Sequence, residues 1–266
     1  MNGEPHRRPT RSSDADEVMH TQRMSVSYSV IRDNVIAVVL DGILDSATYL
    51  LARNAIIKAA VEQPDLVVVQ LDRIEVPAES ALAAFTSARW HVADWPGVQI
   101  ILVASEAAMR NTLVRNGITR SIRCTATFDG ALARLGEVPS RRRADYAFEP
   151  GVPPAGRARR FVARTLADWS RTAYADIAKI VVTELIELMN GATRRGQVRL
   201  ELRNDLIWIA VRDDDPELPV RVESASGTAL YSSSGLLTSL ARRWGAEPDI
   251  AGGRVVWAAI GRENTI

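Results

Sequence analysis

Cysteine is nearly missing from this chain. Cys124 is the single one, and this excludes an internal disulfide framework. Histidine is scarce as well: His6, His20 and His91 stand far apart, so no dedicated zinc site is expected. The same scarcity leaves no Ser-His-Asp or Cys-His set for nucleophilic catalysis. Lysine occurs only at Lys58 and Lys179, so nearly all of the 33 basic residues are arginine. Against 32 acidic residues the net charge is +1, which argues against a dedicated binder of nucleic acid or another polyanion. No apolar run approaches the roughly 18 residues of a membrane span. The stretch Met1–Arg11 is polar, contains Pro5 and Pro9, and does not read as a secretory signal. A cytoplasmic protein without membrane contact is expected. What is present is a chain of 266 residues, 47% hydrophobic and 24% charged, the balance of one large globular domain or two ordinary ones.

Residues 1–23 are polar and read as a disordered tail. Residues 24–136 alternate strand and helix patterns. Ser25–Ile31 alternates polar and apolar side chains, with a hairpin turn expected at Asp33-Asn34. Val35–Leu40, Leu66–Leu71 and Val98–Val103 are apolar runs that predict buried strands. Ser46 is expected to cap a helix reaching Val61, with Leu50, Leu51, Ile57 and Val61 turned inward. Pro77 is expected to open a second helix through Ala93, and two more are predicted near 106–115 and 129–135. The alternation predicts an α/β unit, a mixed sheet with helices.

Residues 137–158 have no apolar period. With Arg141, Arg142, Arg143 and the prolines Pro139, Pro150, Pro153 and Pro154, they read as a solvated inter-domain linker. The arginine run is also a candidate for touching nucleic acid or acidic lipid. In residues 159–262, Val162, Leu166 and Trp169 predict one amphipathic helix. Ile177, Ile180, Val181, Leu185 and Leu188 predict another. Val198–Leu202 and Leu206–Val211 read as a hairpin turning at Asn204-Asp205. A loop rich in Ser, Ala and Gly is expected over about 223–234, then a helix from Leu236 to Trp244 and a last strand at Arg254–Ile260. Helices on one face of a largely antiparallel sheet give an α+β sandwich.

A few residues stand out chemically. Glu184 falls inside an apolar helical stripe, where a carboxylate costs several kcal/mol unless paired or partly wet; it either lines a site or pairs with an arginine at the core edge. Ser80 lies in the first turn after Pro77, where an added phosphate would meet free backbone N–H groups and the positive end of a helix dipole. Glu79 beside it opposes this by like-charge repulsion. Asp213, Asp214 and Asp215 follow a strand directly and could bind a cation or accept hydrogen bonds from a base amino group. Ser232, Ser233, Ser234 and Gly235 precede a helix and could cradle an anion. His91, near Trp90 and Trp95, reads as a surface or rim residue.

Two segments of the first unit, Leu40-Asp-Gly-Ile-Leu-Asp45 and Leu66-Val-Val-Val-Gln-Leu-Asp72, together with Met109–Ile118, resemble the STAS domain of anti-sigma-factor antagonists. The resemblance covers nearly the whole unit and puts Ser80 on the family's phospho-acceptor position. The family's Asp-Ser-Ser-Gly segment reads Ala78-Glu79-Ser80-Ala81 here. The second unit resembles the anti-sigma-factor serine kinases, whose ATPase-type fold is shared with histidine kinases and gyrase. Val182–Ile186, Val211-Arg-Asp213, Gly235-Leu236, Arg243-Trp-Gly245 and Gly252–Trp257 carry it, in the expected order. It implies a catalytic or nucleotide-binding role for Glu184 and adenine recognition by Asp213. Gly235 and Leu236 would contribute to the nucleotide site, with ATP and Mg²⁺ as cofactors. The family's Mg²⁺-holding Asn, four residues after its Glu, is Leu188 here, so no metal ligand is carried over. Asn190 lies roughly 240° around the helix from Glu184 and does not replace it.

Together the resemblances imply a bacterial regulator of sigma-factor partner switching. It would join an antagonist-like module to a degenerate, non-catalytic kinase-like module. The implied partners are a sigma factor, an anti-sigma factor or a STAS antagonist protein, with a homodimer also implied by the second family. The alternative is an active ATP-dependent serine kinase and anti-sigma factor that phosphorylates an antagonist serine. A third reading makes the first unit a sensor of a small ligand.

Overall fold

The structure, a computed structural model, describes residues 18–20, 23–32, 34–135, 141–151, 153–189, 195–219 and 233–264. Among them no helix is long and apolar enough to cross a membrane. The first unit is built on a six-stranded sheet. Its strands, in spatial and chain order, are β1 (Val18–His20), β2 (Met24–Arg32), β3 (Val35–Ile43), β4 (Leu66–Glu75), β5 (Gln99–Val103) and β6 (Arg123–Thr125). The pairs β1–β2 and β2–β3 are antiparallel, and the rest are parallel. This is the expected mixed sheet. Strand β1 corrects the reading of residues 1–23 as wholly disordered, since its backbone pairs with β2 from Val18↔Ser27 to His20↔Ser25. An open sheet edge offers a row of N–H and C=O groups that even a short segment can use.

Helices α1 (Tyr49–Val61), α2 (Ala83–Asp94), α3 (Ala107–Arg115) and α4 (Phe128–Leu132) cover the sheet. Helix α1 begins three residues after Ser46, which is exposed. Asp45 holds the turn instead: its Oδ1 accepts from the N–H groups of Ala47 (2.9 Å) and Thr48 (3.2 Å), while Thr48 Oγ1 accepts from Asp45 N–H (2.9 Å). Leu50 is 61% exposed and not in the core; Ala52, Ala55, Ile56, Ala59 and Ala60 face the sheet. The small residues let the helix lie close to the apolar strands.

The second unit is a five-stranded antiparallel sheet. Its strands β7 (Arg142–Phe148), β8 (Gly196–Arg203), β9 (Leu206–Asp213), β10 (Arg243–Pro248) and β11 (Arg254–Ile260) lie in the order β10-β11-β9-β8-β7. Helices α5 (Ala155–Asp168), α6 (Ala175–Leu188) and α7 (Ser233–Leu240) pack on one face. Strand β7 corrects the linker reading of residues 137–158. It pairs with β8 along its length, with Phe148 buried and Ala144 and Tyr146 against the helices. The polar, proline-flanked sequence hid a short alternation of inward and outward residues. Trp244 is likewise a strand residue of β10 and not the end of a helix. Its neighbour Gly245 must lack a side chain, because a Cβ there would come within 2.8 Å of the Trp257 ring.

The apolar runs of β9 and β11 serve two cores by strict alternation. Ile207, Ile209, Val211, Val256, Ala258 and Ile260 face the helices of their own unit. Trp208, Ala210, Val255, Trp257 and Ala259 belong to the core of the first unit. The sheet is therefore covered on both faces, where one covered face was expected.

Candidate functional site

Strand β4 runs out at Glu75 and leads through Val76, Pro77 and Ala78 into a 3-10 turn at Glu79–Leu82, which feeds α2. Ala81 and Leu82 are buried and anchor the turn, while Glu79 and Ser80 are exposed. Glu79 is tied to the end of α3: Arg115 Nη2 donates to its Oε1 at 2.9 Å and Asn116 Nδ2 to its Oε2 at 2.6 Å. The Asn116 amide, and then the Arg115 guanidinium, hold the Glu79 carboxyl below the usual carboxylate range. The charge beside Ser80 is thus partly neutralised. On the neighbouring connection, Asp72 Oδ1 accepts from Ser105 N–H at 2.6 Å and Ser105 Oγ at 2.9 Å. Ser80 is exposed on the turn that follows β4, with its carbonyl accepting from Ala83 N–H. Cys124 is half-buried, and burial pushes its thiol up, away from a reactive thiolate.

Glu184 lies elsewhere. The buried stripe of α6 is Ile177, Ala178, Val181, Val182, Leu185 and Ile186, and Ile180, expected in it, is 38% exposed. Glu184 is half-buried and lines a groove with Arg159, Asp176, Lys179, Ile180 and Thr183. Arg159 Nη1 donates to Thr183 Oγ1 at 3.2 Å across that groove. It is therefore at the partly wet rim of the helix pair. Leu188, in the position where the resembled family has its Mg²⁺-holding Asn, is also half-buried.

Asp213 is at the end of β9 and 3% exposed. Its Oδ1 accepts from Arg254 Nε at 2.9 Å and from Asp215 N–H at 3.2 Å, and its Oδ2 from Arg254 Nη2 at 3.2 Å. Gly253 beneath it is required, because a Cβ would meet the Asp213 carbonyl oxygen and come within 3.1 Å of Asp249 Oδ2. Gly235 and Leu236 are in α7, where the Gly235 carbonyl accepts from Ser239 Oγ at 3.0 Å. The groove that holds Glu184 is lined by none of Asp213, Gly235 or Leu236. The expected loop over 223–234 lies mostly outside the described residues, as do Asp33 and Asn190. Among the described residues no group of acidic, histidine and cysteine side chains is arranged to hold a metal ion.

The sequence reading missed the contact between the units. Trp95, just past α2, stacks on Trp257 with ring centres 5.1 Å apart and planes 13° from parallel. Arg203 reaches over the Trp208 ring and donates to the carbonyls of Pro96 (2.7 Å) and Asp94 (2.8 Å). Gly97 passes directly under that guanidinium, with no room for a Cβ. Arg141 donates to the Pro96 and Gly97 carbonyls. Arg143 bridges Glu201 (3.0 Å) and Asp65 (3.3 Å), so Arg141 and Arg143 are interface residues and not solvated ones, while Arg142 between them is exposed over the Trp169 ring. At the other edge Glu62 accepts from Arg212 Nη1 at 2.6 Å and from Ile250 N–H at 3.2 Å. His91 Nε2 lies 2.9 Å from Glu247 Oε1, which puts His91 on the rim as expected. The legible signal was the two-faced apolar character of 206–211 and 255–260.

No family model matches the chain, and no curated protein matches it. Among solved structures it is similar to an anti-sigma factor antagonist from Mycobacterium paratuberculosis, at 19% identity and a TM-score of 0.37 over 42% of this chain and 94% of that one. It is also similar to the anti-sigma factor antagonist SpoIIAA in its unphosphorylated form, at 15% identity and a TM-score of 0.34 over 43% of this chain and 99% of that one. A third likeness is to the Bacillus cell fate determinant SpoIIAA in its phosphorylated form, at 18% identity and a TM-score of 0.31 over 41% and 98%.

Proposed function

We propose that this chain regulates sigma-factor activity by protein–protein binding in a partner-switching system. Residues 24–136 act as the anti-sigma-factor-antagonist-like module and the second unit as a kinase-like module without catalysis. The observation that carries the reading is Ser80: an exposed hydroxyl on a turn anchored by buried Ala81 and Leu82, at the head of α2. A phosphoryl group added there would put a strong charge on that exposed turn, and so switch the partner. A non-catalytic second unit is supported by Leu188 in the metal position, by Arg254 engaging Asp213, and by the separation of the Glu184 groove from Asp213. Without a metal to neutralise the transferring phosphoryl group, transfer would be slowed by orders of magnitude.

The test has two arms, both on the full chain. In the first, the chain is titrated against purified anti-sigma factor kinases and sigma factors. Saturable binding to one of them, weakened at least about tenfold by Ser80→Glu, is expected. Absence of binding to every one of them refutes the assignment. In the second, the chain is incubated with Mg-ATP and analysed by mass spectrometry, and no phosphoserine is expected. A phosphoserine that disappears in Glu184→Ala replaces the non-catalytic reading with the serine-kinase one.

A further inference from the structure

Between the units, beside the Trp95-Pro96-Gly97 turn, is a cavity of about 370 Å³. Its lining includes Arg141, Arg203, Arg242, Arg243, Trp208 and a single carboxylate, Asp94. Arg141 is 5% exposed in its side chain and Arg203 10%, whereas Arg242 and Arg243 are about half exposed and form the mouth. Counter-charges do not match this set at the cavity wall. Asp94 pairs with Arg243. Glu201, set behind, stands 3.6 Å from Arg141 and 3.7 Å from Arg203, and must also serve Arg143. Glu263 faces Arg242 at 3.5 Å from outside. Burial lowers the proton affinity of both Arg141 and Arg203, with Glu201 opposing that effect. Two buried donors also lack any hydrogen-bond partner among the described residues, Arg141 Nε and Trp208 Nε1. Both atoms are themselves shut off from the cavity space, so they mark strain in the packing behind the wall and are not donors offered to an occupant.

We propose that this cavity binds a small phosphorylated anion that clamps the two units together. Guanidinium groups present paired N–H donors that fit phosphate oxygens. Arg242 and Arg243 at the mouth offer them, while Arg141 and Arg203, held on the carbonyls of Asp94, Pro96 and Gly97, add positive charge behind, a set that suits a compact multiply charged anion better than a monocarboxylate. The volume falls within the range of small-molecule sites. Arg141, Arg203, Arg242 and Arg243 come from the second unit and the Asp94–Gly97 segment from the first. An occupant therefore links ligand binding to the closed arrangement of the units. The site lies past the opposite end of α2 from Ser80 and does not depend on how that serine is read.

The probe is pyrophosphate, titrated calorimetrically into the full chain at constant ionic strength without metal, with tryptophan emission followed in parallel. One saturable site per chain is expected, with a change in emission from the Trp95–Trp257–Trp208 stack. Arg242→Gln and the pair Arg242→Gln/Arg243→Gln alter half-exposed side chains and leave the fold intact by circular dichroism. The pair is expected to weaken pyrophosphate at least about tenfold and the single change by less, as loss of charge-assisted contacts requires. Absence of saturable binding up to about 1 mM overturns the proposal. So does binding that the paired change leaves untouched, since the anion then sits elsewhere. Citrate binding as tightly as pyrophosphate overturns the assignment to a phosphorylated ligand.

Discussion

Asp213 and Arg254 are each almost completely out of water, 1% and 3% exposed in their side chains, and each is the other's main partner. Removing Arg254 leaves the buried Asp213 carboxylate without its cation and beside Asp215, which costs about 3–5 kcal/mol. Arg254→Met is therefore expected to lower stability by that order in urea unfolding, while Asp213→Leu/Arg254→Met together recover most of it. A single change with no effect would mean that the pair is solvated. Glu79 supplies a second test at this scale. Its carboxyl is held low in the folded chain, so its tie to α3 is complete above the usual 4.5 and fades as pH falls through the lowered value. The Asn116 side-chain amide resonance is expected to move in acid with a midpoint below 4.5, and a midpoint at or above it refutes the tie. Such pairings were not legible in the sequence. Asp213 was visible as an acid at the end of a strand, yet its partner lies in another strand, and only the register Arg254↔Asp213 brings the two together.

At the level of elements, the parallel strands were legible because they are uninterrupted apolar runs of the right length, and the Asn204-Asp205 hairpin because both residues tolerate positive φ. Strand β7 was not legible, since three arginines mask its alternation and its inward residues are as modest as Ala144 and Tyr146. Helix α7 and strand β10 merged into one reading because Leu236, Leu237, Leu240 and Trp244 happen to fall at helical spacing. The double-faced strands β9 and β11 carry the clearest prediction here. Trp257→Ala removes a ring stacked on Trp95 and tilted against Trp208. It is expected to cost about 3–5 kcal/mol, read as a shift of the urea midpoint. A loss below 1 kcal/mol would mean that this face of the sheet does not depend on the stack.

For the whole molecule, the first unit's core continues without a break into Trp208, Val255 and Trp257. The two units are then expected to unfold together, in one transition with coincident midpoints by circular dichroism and tryptophan emission. Two separated transitions would contradict a shared core. The continuity also governs what another protein can do here. A short tether holds the first unit near the β9–β11 face at an effective concentration on the order of millimolar. A free protein seeking that face at micromolar levels starts about a thousandfold behind, and must bind more tightly by roughly 4 kcal/mol merely to draw level. A chain that keeps its own ligand attached has set a threshold, and only a tight or abundant competitor crosses it.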